Sequence, residues 1–277
     1  MAKAKFTGLD PHQKELVTLI EQNARRHRRH EVFRDFCELA ALGISNRVDL
    51  LQYDAREARY LEIVKRYERE EVERFPHMLA HLVESLEQGH RDVLGGIFEA
   101  MQLADHWKGQ FFTPFEVSTM IAKMMLSGAA AEIERKGFIT LMEPAAGAGG
   151  MVIAAASTLL DEGINYQQTM HATLIDVDPT ACHMAYVQMS LLHVPAIVIH
   201  GNALAPNATW GHWVTPAHVM GLWDIKLRRR DRIQAECEVA TAGGGSAAAA
   251  APEPGAAQRA EIVARRIEQS EQFDLFS

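Results

Sequence analysis

Cysteine is scarce in this chain. Cys37, Cys182 and Cys237 lie far apart and are odd in number. They exclude a disulfide framework and a cysteine-rich zinc site, and they suit a reducing compartment, so a cytoplasmic setting is expected. No run of about 18 apolar residues is present, which excludes a membrane-spanning helix of ordinary length. The N-terminus MAKAKFTGLD lacks the apolar core of a signal peptide, so secretion is not expected. An excess of positive charge is also missing. Lys and Arg number 28 against 36 Asp and Glu, a formal net charge of −8, which argues against coating nucleic acid by bulk electrostatics and leaves only a local basic face open. What remains is ordinary globular composition: 277 residues, 48% hydrophobic and 23% charged, enough to bury one or two cores.

The hydrophobic period divides the chain. From Asp10 to about Trp107 apolar residues recur at three and four, as in Leu16, Leu19, Ile20 and then Val32, Phe33, Phe36, Leu39. Pro76, Gly89 and the Gly95, Gly96 pair punctuate this stretch, which predicts four or five helices in an N-terminal helical domain over 1–105. Between Gly137 and Leu204 the pattern changes. Phe138 to Met142, His171 to Ile175 and Ala196 to Ile199 are short apolar runs separated by the helical stretches Gly150 to Leu160 and Pro179 to Leu192. Strand, helix, strand, helix, strand predicts a parallel sheet with covering helices, placed in a domain over 106–230. Residues 231–271 read as low-complexity linker, rich in Ala, Gly and Pro, with a short charged helix over Gln258 to Gln272; residues 272–277 are a separate tail.

Three polar groups fall at the ends of these strands. Glu143 and Pro144 open a loop containing Gly147, Gly149 and Gly150, where the backbone must turn tightly and let a ligand approach. Asp176 ends the second strand, where a carboxylate can accept the hydroxyl protons of a ribose, although Asp176 to Pro179 also reads as a turn with a helix cap at Asp178. Gly201 and Asn202 end the third. Open α/β sheets bind ligands along this carboxyl edge.

The segment Gly109, Gln110, Phe111, Phe112, Thr113, Pro114, followed by a helical stretch Glu116 to Leu126, resembles the GQFYTP signature of N6-adenine DNA methyltransferases of the type I restriction-modification class. Glu143 to Gly150 resembles that family's DPACGTGG loop, and Asp176 to Pro179 its EIDP element. The similarity runs from about Asp92 to Leu204. It implies a fold that binds S-adenosylmethionine, with Thr113 and Pro114 near the methionine part, Glu143, Gly147 and Gly149 around the loop, Asp176 at the ribose and Asn202 near the adenine ring. Ala145, Ala146 replaces Ala-Cys, Asp176 replaces Glu, and Asn202 stands where the family usually has Asp, so adenine would be held without a charge.

The family methylates a flipped adenine with an Asn/Asp-Pro-Pro-Tyr/Phe tetrapeptide after the fourth strand. No such tetrapeptide follows Leu204; the nearest fragment is Trp213 to Pro216, and no catalytic residue is assigned. The stretch Trp210 to Trp223 is instead rich in Trp and His. It reads either as a surface that stacks bases, with Lys226, Arg228, Arg229, Arg230 and Arg232 on phosphates, or as a core plug beside a solvated helix face. His212 and His218 have no carboxylate or thiol at ligand spacing, so no metal site is expected. Arg25, Arg26, Arg28 and Arg29, with His27 and His30, form a second basic cluster expected on one helix, where it touches DNA phosphates or solvent. At the end of the chain Gln272, Phe273, Asp274, Leu275, Phe276 resembles the pentapeptide by which bacterial proteins dock on the DNA sliding clamp, with Gln272, Leu275 and Phe276 as its contact residues.

The expected fold is therefore α/β, a truncated Rossmann-like methyltransferase sheet preceded by helices. Three strands are readable, with a fourth expected near Val219. A sheet that stops early leaves an edge, so the N-terminal helices, the Trp-rich segment or a second copy of the chain is expected to cover the side where later strands would lie. Two functions stay open: an adenine DNA methyltransferase, or a cofactor-binding relative that acts on DNA and partners as a regulator of restriction or replication.

Overall fold

The computed structural model describes residues 8–103, 113–205 and 208–242. Those up to Leu227 form one unit, and those from Arg228 onward a second. The charged stretch 258–272, and with it Gln272, Leu275 and Phe276 of the tail, lies outside the described residues.

The first unit opens with α1 (Pro11–Asn23), α2 (Arg29–Ser45), α3 (Tyr53–Val64), α4 (Arg69–Glu87) and α5 (Val93–Ala100). Local chemistry sets the first boundary. Asp10 and Gln13 cap α1 reciprocally and Pro11 opens its first turn, so the orphan N–H groups there have acceptors. Two punctuation marks read from sequence are not boundaries. Pro76 lies inside α4, where its ring removes one helical hydrogen bond, but Phe75, Met78, Leu82 and Leu86 bury one continuous face and hold the helix together across it. Gly95 and Gly96 lie inside α5, because Asp92 caps that helix by accepting from Gly95 N–H at 2.8 Å and a side chain on Gly95 would strike the Asp92 carboxylate.

The α/β part follows as α6 (Phe115–Met125), α7 (Ala129–Lys136), β1 (Ile139–Glu143), α8 (Gly150–Asp161), α9 (Tyr166–Thr169), β2 (Met170–Asp176), α10 (Pro179–Leu191), β3 (Ala196–Gly201), β4 (Thr209–Val214) and α11 (Pro216–Met220); α12 (Trp223–Ala242) runs on into the second unit. The sheet order is β1-β2-β3-β4. The first three strands are parallel, as the strand-helix alternation predicts, and β4 returns antiparallel to β3. The fourth strand is therefore at Thr209–Val214 and not near Val219, which lies in α11. Thr215 accepts from His218 N–H and Pro216 occupies the first helical position, so the chain after Val214 is set up to turn into helix.

Burial alternates along the strands. Ala172 and Leu174 of β2, Ala196 and Val198 of β3 and Trp213 of β4 share a fully covered face against α10, whereas Met142 of β1 points the other way and is exposed. The helices and the sheet share one core, which runs from Leu16, Phe33, Phe36 and Met78 to Ile153, Leu174, Tyr186 and Val198. Arg56 of α3 fastens the helices to β4: its guanidinium stacks 4.3 Å over Trp213, donates to the His212 carbonyl at 2.8 Å and pairs with Asp49 at 2.7 Å. The sheet is thus closed on its β3 side by β4 and Arg56, and β1 is its last strand on the other side among the described residues.

His183 of α10 sits in this junction, edge-on to Trp213, with its Nδ1 buried and unpartnered among the described residues. Burial is the main force on its pKa, which is pushed down to about 4. The unfolded chain therefore binds a proton that the folded chain refuses, and stability falls as pH drops from about 6.5 toward 4. A His183→Phe variant is expected to lack this loss, about 3 kcal/mol at the acid end. Urea denaturation of both proteins at pH 7 and pH 4.5 checks it, and an equal acid loss in the two would contradict it.

Candidate cofactor site

The loop between β1 and α8 turns on two glycines in the left-handed region, Gly147 at φ 52° and Gly149 at φ 92°. Gly149 is constrained in space as well. A Cβ there would also come within 3.0 Å of Met189 Cε on α10, so that methionine would have to shift to admit one. The loop is tied to the next strand by Ala146 N–H donating to the Ile175 carbonyl at 2.9 Å. Its centre is tied to the acid that ends that strand: Gly147 N–H donates to Asp176 Oδ2 at 2.8 Å, and Asp178 N–H to Oδ1 at 2.9 Å. Each carboxylate oxygen keeps a second lone pair for a ligand. The turn-and-cap reading of the Asp176 to Pro179 segment is seen directly, since Asp178 caps α10 by accepting from Thr180 N–H at 2.7 Å, while Asp176 faces the loop.

Glu143 stands at the end of β1 and accepts from Ala145 N–H at 3.2 Å. Half-burial raises its pKa, the Ala145 bond opposes the rise, and the charge of Asp176 adds to it. Two carboxylates thus lie within electrostatic range of each other, an arrangement that a positively charged group would relieve. Asn202 follows β3; its Oδ1 accepts from Leu204 N–H at 3.0 Å, closing a local turn. Thr113 and Pro114 are exposed at the start of α6, which packs on α8, the helix that follows the glycine loop. The structure therefore brings Glu143, Gly147, Gly149 and Asp176 together, sets Asn202 at the end of a neighbouring strand, and puts Thr113 and Pro114 at the head of an adjacent helix. Gly109 to Phe112 lie outside the described residues.

A supporting clamp went unread in the sequence. Gln188 of α10 is fully buried, and its amide donates to the Ala148 carbonyl and to Asp92 Oδ1, each at 2.8 Å, while its oxygen accepts Val93 N–H at 2.9 Å and Leu94 N–H at 3.1 Å. Burial raises the Asp92 carboxyl's pKa against the bonds it accepts from Gln188 and from Gly95 N–H. Asp92 ahead of an apolar helix was readable as a cap; its partner, 96 residues on, was not.

The aromatic segment divides between its two readings. Trp213 and Trp223 are buried, as a core plug would be, and Trp210 is exposed with its ring edge-on to His200 at 4.9 Å. The basic cluster does not lie along one helix. Arg25, Arg26 and Arg28 fall in the turn between α1 and α2, and Arg29 begins α2. Nearby acids temper it: Arg26 pairs with Glu68, and Arg29 with Glu21 at 2.8 Å. Exposed pairs of this kind are weak enough to exchange for phosphates. In the second unit Arg230 pairs with Asp231 at 2.8 Å, beside Arg228 and Arg229. No group of three or more metal-ligating side chains occurs among the described residues.

This geometry can be set beside known proteins. Residues 89–216 match the N-6 DNA methylase family model. The matched segment contains every cofactor-site residue from Thr113 to Asn202 and leaves out the Arg25 to Arg29 cluster and the C-terminal tail. No curated protein matches the chain. Among solved structures the chain is similar to one assigned as a class I S-adenosylmethionine-dependent methyltransferase from Listeria monocytogenes, at 16% identity and a TM-score of 0.38, over 70% of this chain and 54% of that one. The chain thus spans about half the length of that protein.

Replacing Gln188 by Leu keeps the volume and strands two N–H groups, a carbonyl and a buried carboxylate. The expected cost is about 3 kcal/mol or more, read as a lower urea midpoint. A midpoint unchanged from the parent would show that the clamp is not holding the loop.

Proposed function

We propose that this protein binds S-adenosylmethionine at the carboxyl edge of β1, β2 and β3 and acts on DNA in the manner of N6-adenine methyltransferases. The observation that carries the reading is the Gly147 N–H on Asp176: a left-handed glycine loop and a strand-end carboxylate are locked together with acceptor capacity to spare. The residue set suits the cofactor. Asp176 would accept the ribose hydroxyl protons, Glu143 would face the ammonium of the methionine part, Thr113 and Pro114 would border that end, and Asn202 would hydrogen-bond the adenine ring through its amide N–H groups and the second lone pair of Oδ1. When bound, the cofactor supplies an activated methyl group. Titration calorimetry tests the reading: Asp176→Ala is expected to weaken binding at least tenfold, about 1.4 kcal/mol, and heat-free titration of the parent protein would reject it.

A second reading is favoured by one specific observation, the absence of the Asn/Asp-Pro-Pro-Tyr/Phe tetrapeptide from the whole sequence. On that reading the chain holds the cofactor and does not itself methylate, serving restriction or replication through DNA and partners. Labelled methyl transfer to duplex DNA separates the two, since steady adenine methylation by the purified chain would exclude the second.

DNA contact in either reading would fall to Arg25, Arg26, Arg28 and Arg29 and to Arg228, Arg229 and Arg230. The tail would add recruitment to a sliding clamp through Gln272, Leu275 and Phe276, raising local concentration at replicating DNA. Deleting 272–277 is expected to abolish co-elution with the clamp; unchanged co-elution would refute that part.

A further inference from the structure

Helix α6 is apolar around most of its circumference, the pattern of a helix buried on two sides, yet among the described residues only one side is covered. Ser118, Ala122 and Leu126 are buried, the side that α8 packs against. Turned away from them are Val117, 39% exposed, Met120, 58%, and Met124, 71%, with half-buried Ile121 between and Met125, 71% exposed, at the end. The spacing 117, 120, 121, 124 is that of a coiled-coil seam, in which like packs on like.

We propose that this stripe is an interface between two copies of the chain, with α6 packing antiparallel against the partner's α6 across a two-fold axis. An isologous contact requires self-complementarity. The seam supplies it, because a two-fold at its centre sets Val117 opposite Met124 of the partner subunit and Met120 opposite Ile121 of the partner subunit. The charges at its rim supply it again. Glu116 and Lys123 flank the same side of the stripe, seven residues apart, about 10 Å along the helix and too far to pair with each other. Neither has an ion-pair partner among the described residues. In the antiparallel pair each Glu116 comes alongside Lys123 of the partner subunit, twice by symmetry; in a parallel pair the flank that carries both charges faces opposite ways on the two helices, so neither would meet its complement. The exposed parts of Val117, Met120, Met124 and Met125 amount to roughly 450 Å² per copy, and with the rim the pair approaches the ~1,200 Å² at which specific interfaces begin. The dimer is therefore of modest affinity and concentration-dependent.

Sedimentation equilibrium of the full chain from about 1 to 200 µM reads this directly, with a dissociation constant in the micromolar range expected. M120E/M124E is expected to raise that constant at least tenfold while circular dichroism and the melting temperature stay unchanged, as both side chains are exposed. E116K alone is expected to weaken association, and E116K/K123E to restore it. A parent protein monomeric throughout, or a dimer indifferent to M120E/M124E, overturns the interface; an E116K/K123E double swap no better than E116K overturns the antiparallel arrangement.

Discussion

A single buried amide holds the candidate site in place. Gln188 uses both of its N–H groups and both lone pairs of its oxygen, and the four partners belong to three parts of the molecule: the glycine loop through Ala148, the start of α5 through Val93 and Leu94, and the Asp92 cap of that helix. Inside a protein such a fully satisfied group is rigid and directional, because any displacement leaves a donor or acceptor with no water to replace its partner. The loop's shape therefore depends on helices far away in sequence. That dependence explains why the N-terminal helices and the sheet share one core: the helical stretch buries the clamp that positions the loop.

With the loop fixed, its electrostatics follow. Glu143 and Asp176 end adjacent parallel strands, Asp176 two residues beyond Leu174, the register partner of Glu143, so the sheet itself holds their carboxylates within range of each other. Backbone N–H groups compensate part of that repulsion, Gly147 and Asp178 at Asp176 and Ala145 at Glu143. Buried Cys182, whose thiol is raised by burial, lies behind Asp176 and contributes packing rather than reactivity. The strand ends here are negative, rich in hydrogen-bonding groups and packed from behind.

How much of this was legible depended on whether a feature is local. The three parallel strands and their helices were readable because each strand is a short apolar run ending in Glu, Asp or Gly, and each helix carries its own period and caps. Asp176 and the glycine loop were readable for the same reason. β4 was not, since Trp210 and Trp213 interrupted by Gly211 and His212 do not read as a strand until β3 supplies hydrogen bonds to pair with. Pro76 misled because tertiary burial of one α4 face outweighs the loss of one helical hydrogen bond. The Gln188 clamp and the Arg56 stack on Trp213 span 96 and 157 positions, and nothing in the neighbourhood of either residue announces its partner.

The end of the sheet at β1 and the bare side of α6 lie on one chain of contacts. α6 packs on α8, α8 contacts β1, and β1 is the last strand among the described residues. α6 is thus joined to the sheet through α8, and no strand beyond β1 occurs among the described residues. Polar residues there would be neutral for a chain that functions alone. Val117, Met120, Met124 and Met125 are costly to leave in water, and methionine in particular adapts its shape to whatever surface it meets. A stripe of this composition is consistent with association, and the placement of Glu116 and Lys123 beside it selects a copy of the same helix, run in the opposite direction, over an unrelated strand or loop.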